Sequence, residues 1–533
     1  MESKAMPGDY SLLERALSLS SEQAQTLESL SCALGETVED ASIYWFVANK
    51  LRRSQGHYLP VPFDAVIGEG GSGAPCSSDN WYSLTWRLGK LLEKFQVNEG
   101  LAVHYTSILT DPEGGHYELN LAASEVVSAV CLENVSHDVE QMKRVCVHAC
   151  EPANGIELLV SNAGKVLLSV EEYREKRITA SFIESLYAKL VEGISIKEVR
   201  EAEGHEANTV EELRKRALKA FCAHLWPSEN ERAMVENGSY DNAEYKTQGH
   251  VAGGFCGNVD CGNHALINAL IALHYFKTFR LFPAGNNVLA YLMYFLILHR
   301  AGYHFSAHVP VIKLLYARDE HSAGVRGLSR EPEELSVECD GYSDWTRFFE
   351  RAVEAIVDEQ GWTITKLDGM GRRRERFRII IDSDETMNFR QKEVLLEASL
   401  HSNAEFTYAI HEQRYDVSHP CARSDFARLL DMGFLRQHDD GIRHFFVASD
   451  SFGQTFLAYL KQHCSQAFHR YYDEDGRLRD EFKSADAAAC EYNKDIGFYE
   501  KSLLDKTYIE HYDFRRAPIA DCDGPRRRSS LNG

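Results

Sequence analysis

Between Val288 and Leu298 lie eleven consecutive apolar residues, VLAYLMYFLIL, the longest such run in this 533-residue chain. A membrane span needs roughly 18–20. The run therefore reads as a helix of a protein core, with Leu292, Phe295, Leu296 and Leu298 as packing positions. It is reached through FRLFPAGNN, from Phe279 to Asn287, and a helix from His264 to Phe279 precedes it. A turn holding Gly285, Asn286 and Asn287 ahead of a helix can present free N–H groups and the positive end of the helix dipole to an anion. The same spelling serves equally as an ordinary helix-initiating turn.

A chain of 533 residues leads one to expect two to four domains. Its 80 acidic and 58 basic residues leave a formal charge of -22, which opposes non-specific binding to nucleic acid or anionic membranes at long range. A local basic patch stays compatible with that field. The first residues carry no apolar stretch behind a basic one, so no signal peptide is expected. Thirteen scattered cysteines point to free thiols and a cytoplasmic setting. Cys256, Cys261 and His264, and Cys146, His148 and Cys150, do not follow paired zinc spacing, so no metal is assigned.

Apolar residues at spacings of three and four predict a mainly α fold. Residues 1–110 form a helical N-terminal region with a Gly/Ser-rich stretch at 64–80, and residues 111–362 a helical core. Within that core IELLVSNAGKVLLSV reads as a hairpin turning at Asn162, Ala163 and Gly164. TRFFERAVEAIVDEQ, Thr346 to Gln360, is a helix, and the basic run Arg372 to Arg374 a solvated linker. Residues 363–450 then give three helices and two short strands around Asp440-Gly441, the order of a winged helix-turn-helix. Ser418 caps its third helix and Pro420 is tolerated in the first turn. Arg423 and Arg428 on that helix, with Arg436 and Arg443 around the wing, are the candidate DNA contacts. Asp425, Asp431, Asp439 and Asp440 are interleaved with them and oppose that reading. Residues 451–533 are expected to be a polar helical tail with a disordered end.

Taken in order, several segments between about residues 120 and 450 resemble the Fic/Doc (Fido) family. The family motif is HPFxxGNGRxxR, followed by an apolar helix ending in AGY. Gly285-Asn286 match its GN, Leu292 to Leu298 its helix, and Arg300 to Tyr303 its end. ALHYFKTF resembles the preceding AHYxFExI helix, NAEYKTQGHVAGG the segment GxYRxxQVxIGG, ASFIESLYAKLVEGI the early helix LxxLHxxLMEG, and YSDWTRFFERAVEAI the late helix DWTPWLxFFLxAV. The resemblance implies a Fic-like helical core followed by the winged helix. It also implies ATP with Mg2+ as co-substrate, and AMP transfer to a hydroxyl of a protein target.

The departures fall on the chemistry. The motif histidine, the family's general base, falls on Arg280, or on Leu281 with a one-residue deletion. The acidic metal-holding position is Ala284, the second glycine is Asn287, and the two phosphate-clamping arginines are Val288 and Tyr291. Loss of a general base alone costs about 10²–10⁴ in rate, and loss of preorganised charge costs more. SAVCLENVSHDVEQM resembles the family's inhibitory helix, with Glu133-Asn134 in its key places but Tyr291 where the partner arginine belongs. The expectation is a pseudoenzyme acting through protein, nucleotide or DNA binding. The alternatives are a divergent protein adenylyltransferase and a winged-helix DNA-binding regulator. If a nucleotide binds, Gly285, Asn286 and Asn287 would hold it. A protein partner is expected, a homodimer is open, and no membrane association is expected.

Overall fold

The computed structural model describes residues 10–60, 80–109, 115–132, 138–147, 150–197, 199, 211–225, 264–316, 335–339, 342–400, 404, 406–439, 444–474, 476–479 and 482. Glu133, Asn134, His148, Cys256, Cys261, Asp440 and Arg443 lie outside them, as do the segment resembling GxYRxxQVxIGG and the end of the chain.

The described chain is mainly α. Its first helices are α1 (Tyr10–Glu22), α2 (Leu27–Leu34), α3 (Val38–Ser54), α4 (Trp86–Leu109), α5 (Gly115–Cys131), α6 (Val139–Cys146), α7 (Gly155–Leu168), α8 (Ala180–Leu190) and α9 (Glu211–Leu225). Then come α10 (Ala265–Phe279), α11 (Asn286–Arg300), α12 (His304–Ala307), α13 (Val311–Tyr316) and α14 (Thr346–Asp382). The last are α15 (Phe389–Leu400), α16 (Tyr408–Tyr415), α17 (His419–Asp431), α18 (Phe452–His463) and α19 (Ser465–Tyr471). The chain forms two compact units, one of residues 1–103 and 110–360, the other of 104–109 and 361–533.

In the first unit α10 and α11 are the centre of the core. Every residue of α11 from Asn286 to His299 is buried, as a helix apolar on all sides must be. A small sheet, β1 (His57–Tyr58), β2 (Asn80–Tyr82), β3 (Val337–Cys339) and β4 (Tyr342–Asp344), runs in the order β1-β2-β4-β3. Only its central pair is parallel, Asn80 opposite Ser343 and Trp81 opposite Asp344. Beside it Arg52 of α3 pairs with Asp344 at 3.0 Å and donates to Ser83 and Thr346 at 3.0 and 2.9 Å. That buried network fixes where α14 begins, because Asp344 also accepts the Thr346 N–H at 2.9 Å.

Two local readings change. IELLVSNAGKVLLSV is no hairpin. Residues 155–168 are helix α7, capped by Asn154, whose Oδ1 accepts from the N–H groups of Ile156 and Glu157 at 3.1 and 2.9 Å. A Cβ on Gly164 would lie 1.9 Å from the Cys146 carbonyl oxygen, so this glycine serves a close helix approach and not a turn. The basic run at 372–374 is no linker. It lies inside the 37-residue helix α14, where Arg374 and Arg378 reach Glu393 at 3.8 and 2.8 Å.

In the second unit α15, α16 and α17 are followed by the antiparallel strands β5 (Leu435–Asp439) and β6 (His444–Ala448). Pro420 sits in the first turn of α17 and Ser418 at its N-cap, although the Ser418 side chain makes no capping bond. The stretch read as the start of a polar tail adds Phe452, Phe456, Leu460 and Phe468 to the same core as Leu395, Phe426 and Phe434.

Candidate functional site

The loop between α10 and α11 opens on Arg280, a half-buried residue in the left-handed region at φ 44°. A non-glycine residue there costs roughly 1–2 kcal/mol. Leu281, Phe282 and Ala284 follow, all buried. The Phe282 ring stacks on Tyr187 of α8 with centroids 4.1 Å apart, and the Arg214 guanidinium lies 5.6 Å from its centre. Gly285 adopts φ 72° as the N-cap of α11. A Cβ there would meet the Leu159 Cδ1 at 3.2 Å and the Leu190 Cδ2 at 3.9 Å. Hydrocarbon from α7 and α8 thus walls the turn.

Asn286 is occupied by the loop itself. Its Oδ1 accepts the Phe282 N–H at 2.9 Å and its Nδ2 donates to the Phe282 carbonyl at 2.7 Å. The side chain closes the turn as a second backbone would. Asn287 and Val288 are buried beside it, and Tyr291, one turn on, has no exposed surface. The residues singled out from sequence around the turn are therefore together in space, and apart from Arg280 they are buried. The buried ones supply no general base, phosphate-clamping cation or carboxylate for a metal; the cations at this loop are Arg280 and, against Phe282, Arg214. His274, the nearest histidine on α10, faces Thr278 and Tyr316 at 3.5 and 3.4 Å. Burial, and then the Lys277 charge, push its pKa down to about 3, so it is a neutral core residue at pH 7.

One group beside Tyr291 was not seen in the sequence. Glu125 of α5 has no exposed surface. Its Oε2 accepts the Ile312 N–H of α13 at 2.6 Å. Its Oε1 and the hydroxyls of Tyr291 and Tyr294 have no hydrogen-bond partner among the described residues. Burial pushes the Glu125 carboxyl up to about 8, with Glu359 adding to the rise and Lys313 opposing it. Glu125 is thus a carboxyl that acts electrostatically on Tyr291; Glu133 lies outside the described residues. A single glutamate inside LAASEVVSAV was the only available sign.

Among the described residues no three His, Cys, Asp or Glu side chains come together as metal ligands. Burial pushes the Cys146 thiol up to about 12, and both Cys146 and Cys150 are free thiols. No helix of the described residues is long and apolar enough to cross a membrane.

On the second unit Arg423 is exposed and Arg428 half-buried, and neither has a carboxylate partner among the described residues. Five residues apart, they point about 140° from each other around the helix. Arg436 is exposed and pairs with Asp450 at 3.0 Å. Asp425, counted against DNA binding from sequence, is turned inward. It accepts from Arg390 Nε at 2.7 Å, Asn388 Nδ2 at 2.5 Å and His411 Nε2 at 3.1 Å.

No family model and no curated protein matches this sequence. Among solved structures, the chain is similar to the crystal structure of a Fic family protein from Desulfovibrio desulfuricans G20. Identity is 12%, the match covers 69% of this chain and 97% of that one, and the TM-score is 0.34.

Proposed function

We propose that the protein is a Fic-like helical scaffold that does not transfer nucleotides. The observation that carries this is the filling of the loop from Leu281 to Tyr291. Leu281, Ala284, Val288 and Tyr291 are buried, and Leu159 and Leu190 stand against Gly285. Asn286 spends its amide on Phe282. Bringing a triphosphate against the buried apolar wall from Leu281 to Tyr291 would desolvate its charge, which costs several kcal/mol where no paired cation lies inside that wall. Among the described residues, the helices that resemble the family's lie in the core, whereas the departures fall on positions that, on the resemblance, would touch phosphate or the target hydroxyl. The test is incubation of the full chain with labelled ATP and Mg2+, alone and with candidate target proteins. No transferred AMP is expected. Label on the chain or on a target would overturn this reading in favour of a divergent adenylyltransferase.

A second reading is favoured by one observation. Three helices and a strand pair follow one another in winged-helix order, and Arg423 of the third helix is exposed without a carboxylate partner. On this reading α17 contacts duplex DNA. Because Arg423 and Arg428 diverge around the helix, one of them is a phosphate contact at most. Binding to duplex DNA at low salt that disappears in Arg423→Gln/Arg428→Gln would support it, and an unchanged signal would reject it.

A further inference from the structure

Away from the loop, one concave site of the first unit is lined by arginines. The turn joining α1 to α2 and the starts of α4 and α14 enclose a cleft of about 190 Å3. Arg87, Arg347 and Arg351 line it. Arg87 donates to Gln23 Oε1 at 2.8 Å and pairs with Glu354 Oε1 at 2.5 Å. Arg351 pairs with the other oxygen of that carboxylate at 2.9 Å. One carboxylate therefore bridges two guanidinium groups, with a third lining the same cleft. A second carboxylate, Glu350, also lines the cleft; it is buried, and its Oε1 accepts the Ala24 N–H at 3.0 Å and the Thr85 hydroxyl at 2.5 Å.

Arg87 and Arg351 share the single Glu354 carboxylate, and the arginines stand where an anion is favourable. Arg87 and Arg347 are each the second residue of a helix, at the positive end of its dipole, where anions are the stabilising choice. They converge although the chain as a whole carries a formal charge of -22. Arg87 and Arg351 keep 32% and 49% of their side chains exposed, so solutes reach them. The size narrows the ligand. Pockets that take a whole drug-sized molecule span about 300–1,000 Å3, so this cleft suits a single phosphoryl-sized group.

We infer that this cleft binds a phosphate group, gripped by Arg87 and Arg351 in place of Glu354, with Arg347 as a third donor. A dianionic phosphate has more acceptor oxygens than the carboxylate it displaces, and guanidinium groups bind such oxygens in pairs. Glu354 is then a resident competitor that keeps the arginines ordered when the cleft holds no phosphate.

The experiment is calorimetric titration of the full chain with inorganic phosphate, against chloride at matched ionic strength. Saturable binding is expected for phosphate only. Arg87→Gln/Arg351→Gln should weaken it by about tenfold or more, and Glu354→Gln should tighten it several-fold by removing the competitor. A phosphoserine peptide that binds far tighter than phosphate or glycerol phosphate identifies a phosphorylated segment as the source, and equal affinities identify a small ester. Absence of saturable binding to wild type overturns the inference, as does binding unchanged in the double variant. If the double variant does not fold, Glu354→Gln decides alone: unchanged or weaker binding rejects the site.

Discussion

Glu125 holds a carboxyl without exposed surface, bonded to the Ile312 N–H and close in charge to Tyr291 and Tyr294. Its pKa is raised to about 8 from 4.5, chiefly by burial. Between those values the folded chain keeps a proton that the unfolded chain has released. Stability contributed through this group therefore falls as pH rises from about 4.5 to about 8, and is flat above. Glu125→Gln keeps an acceptor for Ile312 and removes the titration. We expect it to unfold later than wild type at pH 9, by something on the order of 2–4 kcal/mol, and to match it at pH 5. Denaturant melts at both pH values check this, and equal stability at pH 9 would refute it. Gly285→Ala places a Cβ at φ 72° and 3.2 Å from Leu159, so a loss of about 1–3 kcal/mol in the same melts is expected. The identity of the loop residues was readable from their spelling. Their burial, and the part played by Glu125, were not, because both depend on α5, α7 and α8 arriving from elsewhere in the chain.

Among elements, α10 and α11 were legible because an apolar run of that length has few other solutions. Helix α7 was misread because Asn162, Ala163 and Gly164 spell a turn, while Ile156, Leu159, Val160 and Ala163 beside them spell a helix face. Gly164 settled nothing locally. Its requirement comes from the Cys146 backbone, a contact between helices that no turn rule contains. The start of the second unit was blurred in the same way, since a basic stretch that looks solvated is helical once Glu393 faces it. Asp425 ties α17 to α16 through His411 and to the start of α15 through Asn388 and Arg390. Burial alone would raise its pKa, but the bonds from Arg390, Asn388 and His411 outweigh that and hold it below the usual carboxylate range. Its stabilisation is thus present above the unfolded value and lost as pH falls through the lower folded one. Asp425→Ala should cost about 2–4 kcal/mol at pH 7, read by chemical denaturation, with Arg390 partly rescued by solvent. A loss below about 0.5 kcal/mol would show that the network holds nothing.

For the whole molecule, two units with separate buried clusters predict unfolding that is not a single transition. Calorimetry should resolve two components, one moved by Glu125→Gln and the other by Asp425→Ala. A single transition shifted by both variants would show that the units unfold as one. The loop before α11 has a further consequence, for the routes by which this sequence can change. On the family resemblance, phosphate chemistry would place a histidine near Leu281 and arginines at Val288 and Tyr291, and all three positions are buried. Each alone would bury an unpaired polar or charged group at a cost of several kcal/mol, against a total stability of about 5–15 kcal/mol for a typical domain. Leu159 and Leu190 would have to shrink or turn away in the same step, and Asn286 would have to release Phe282. Single substitutions toward that chemistry are therefore expected to lower stability before they gain any contact with a ligand.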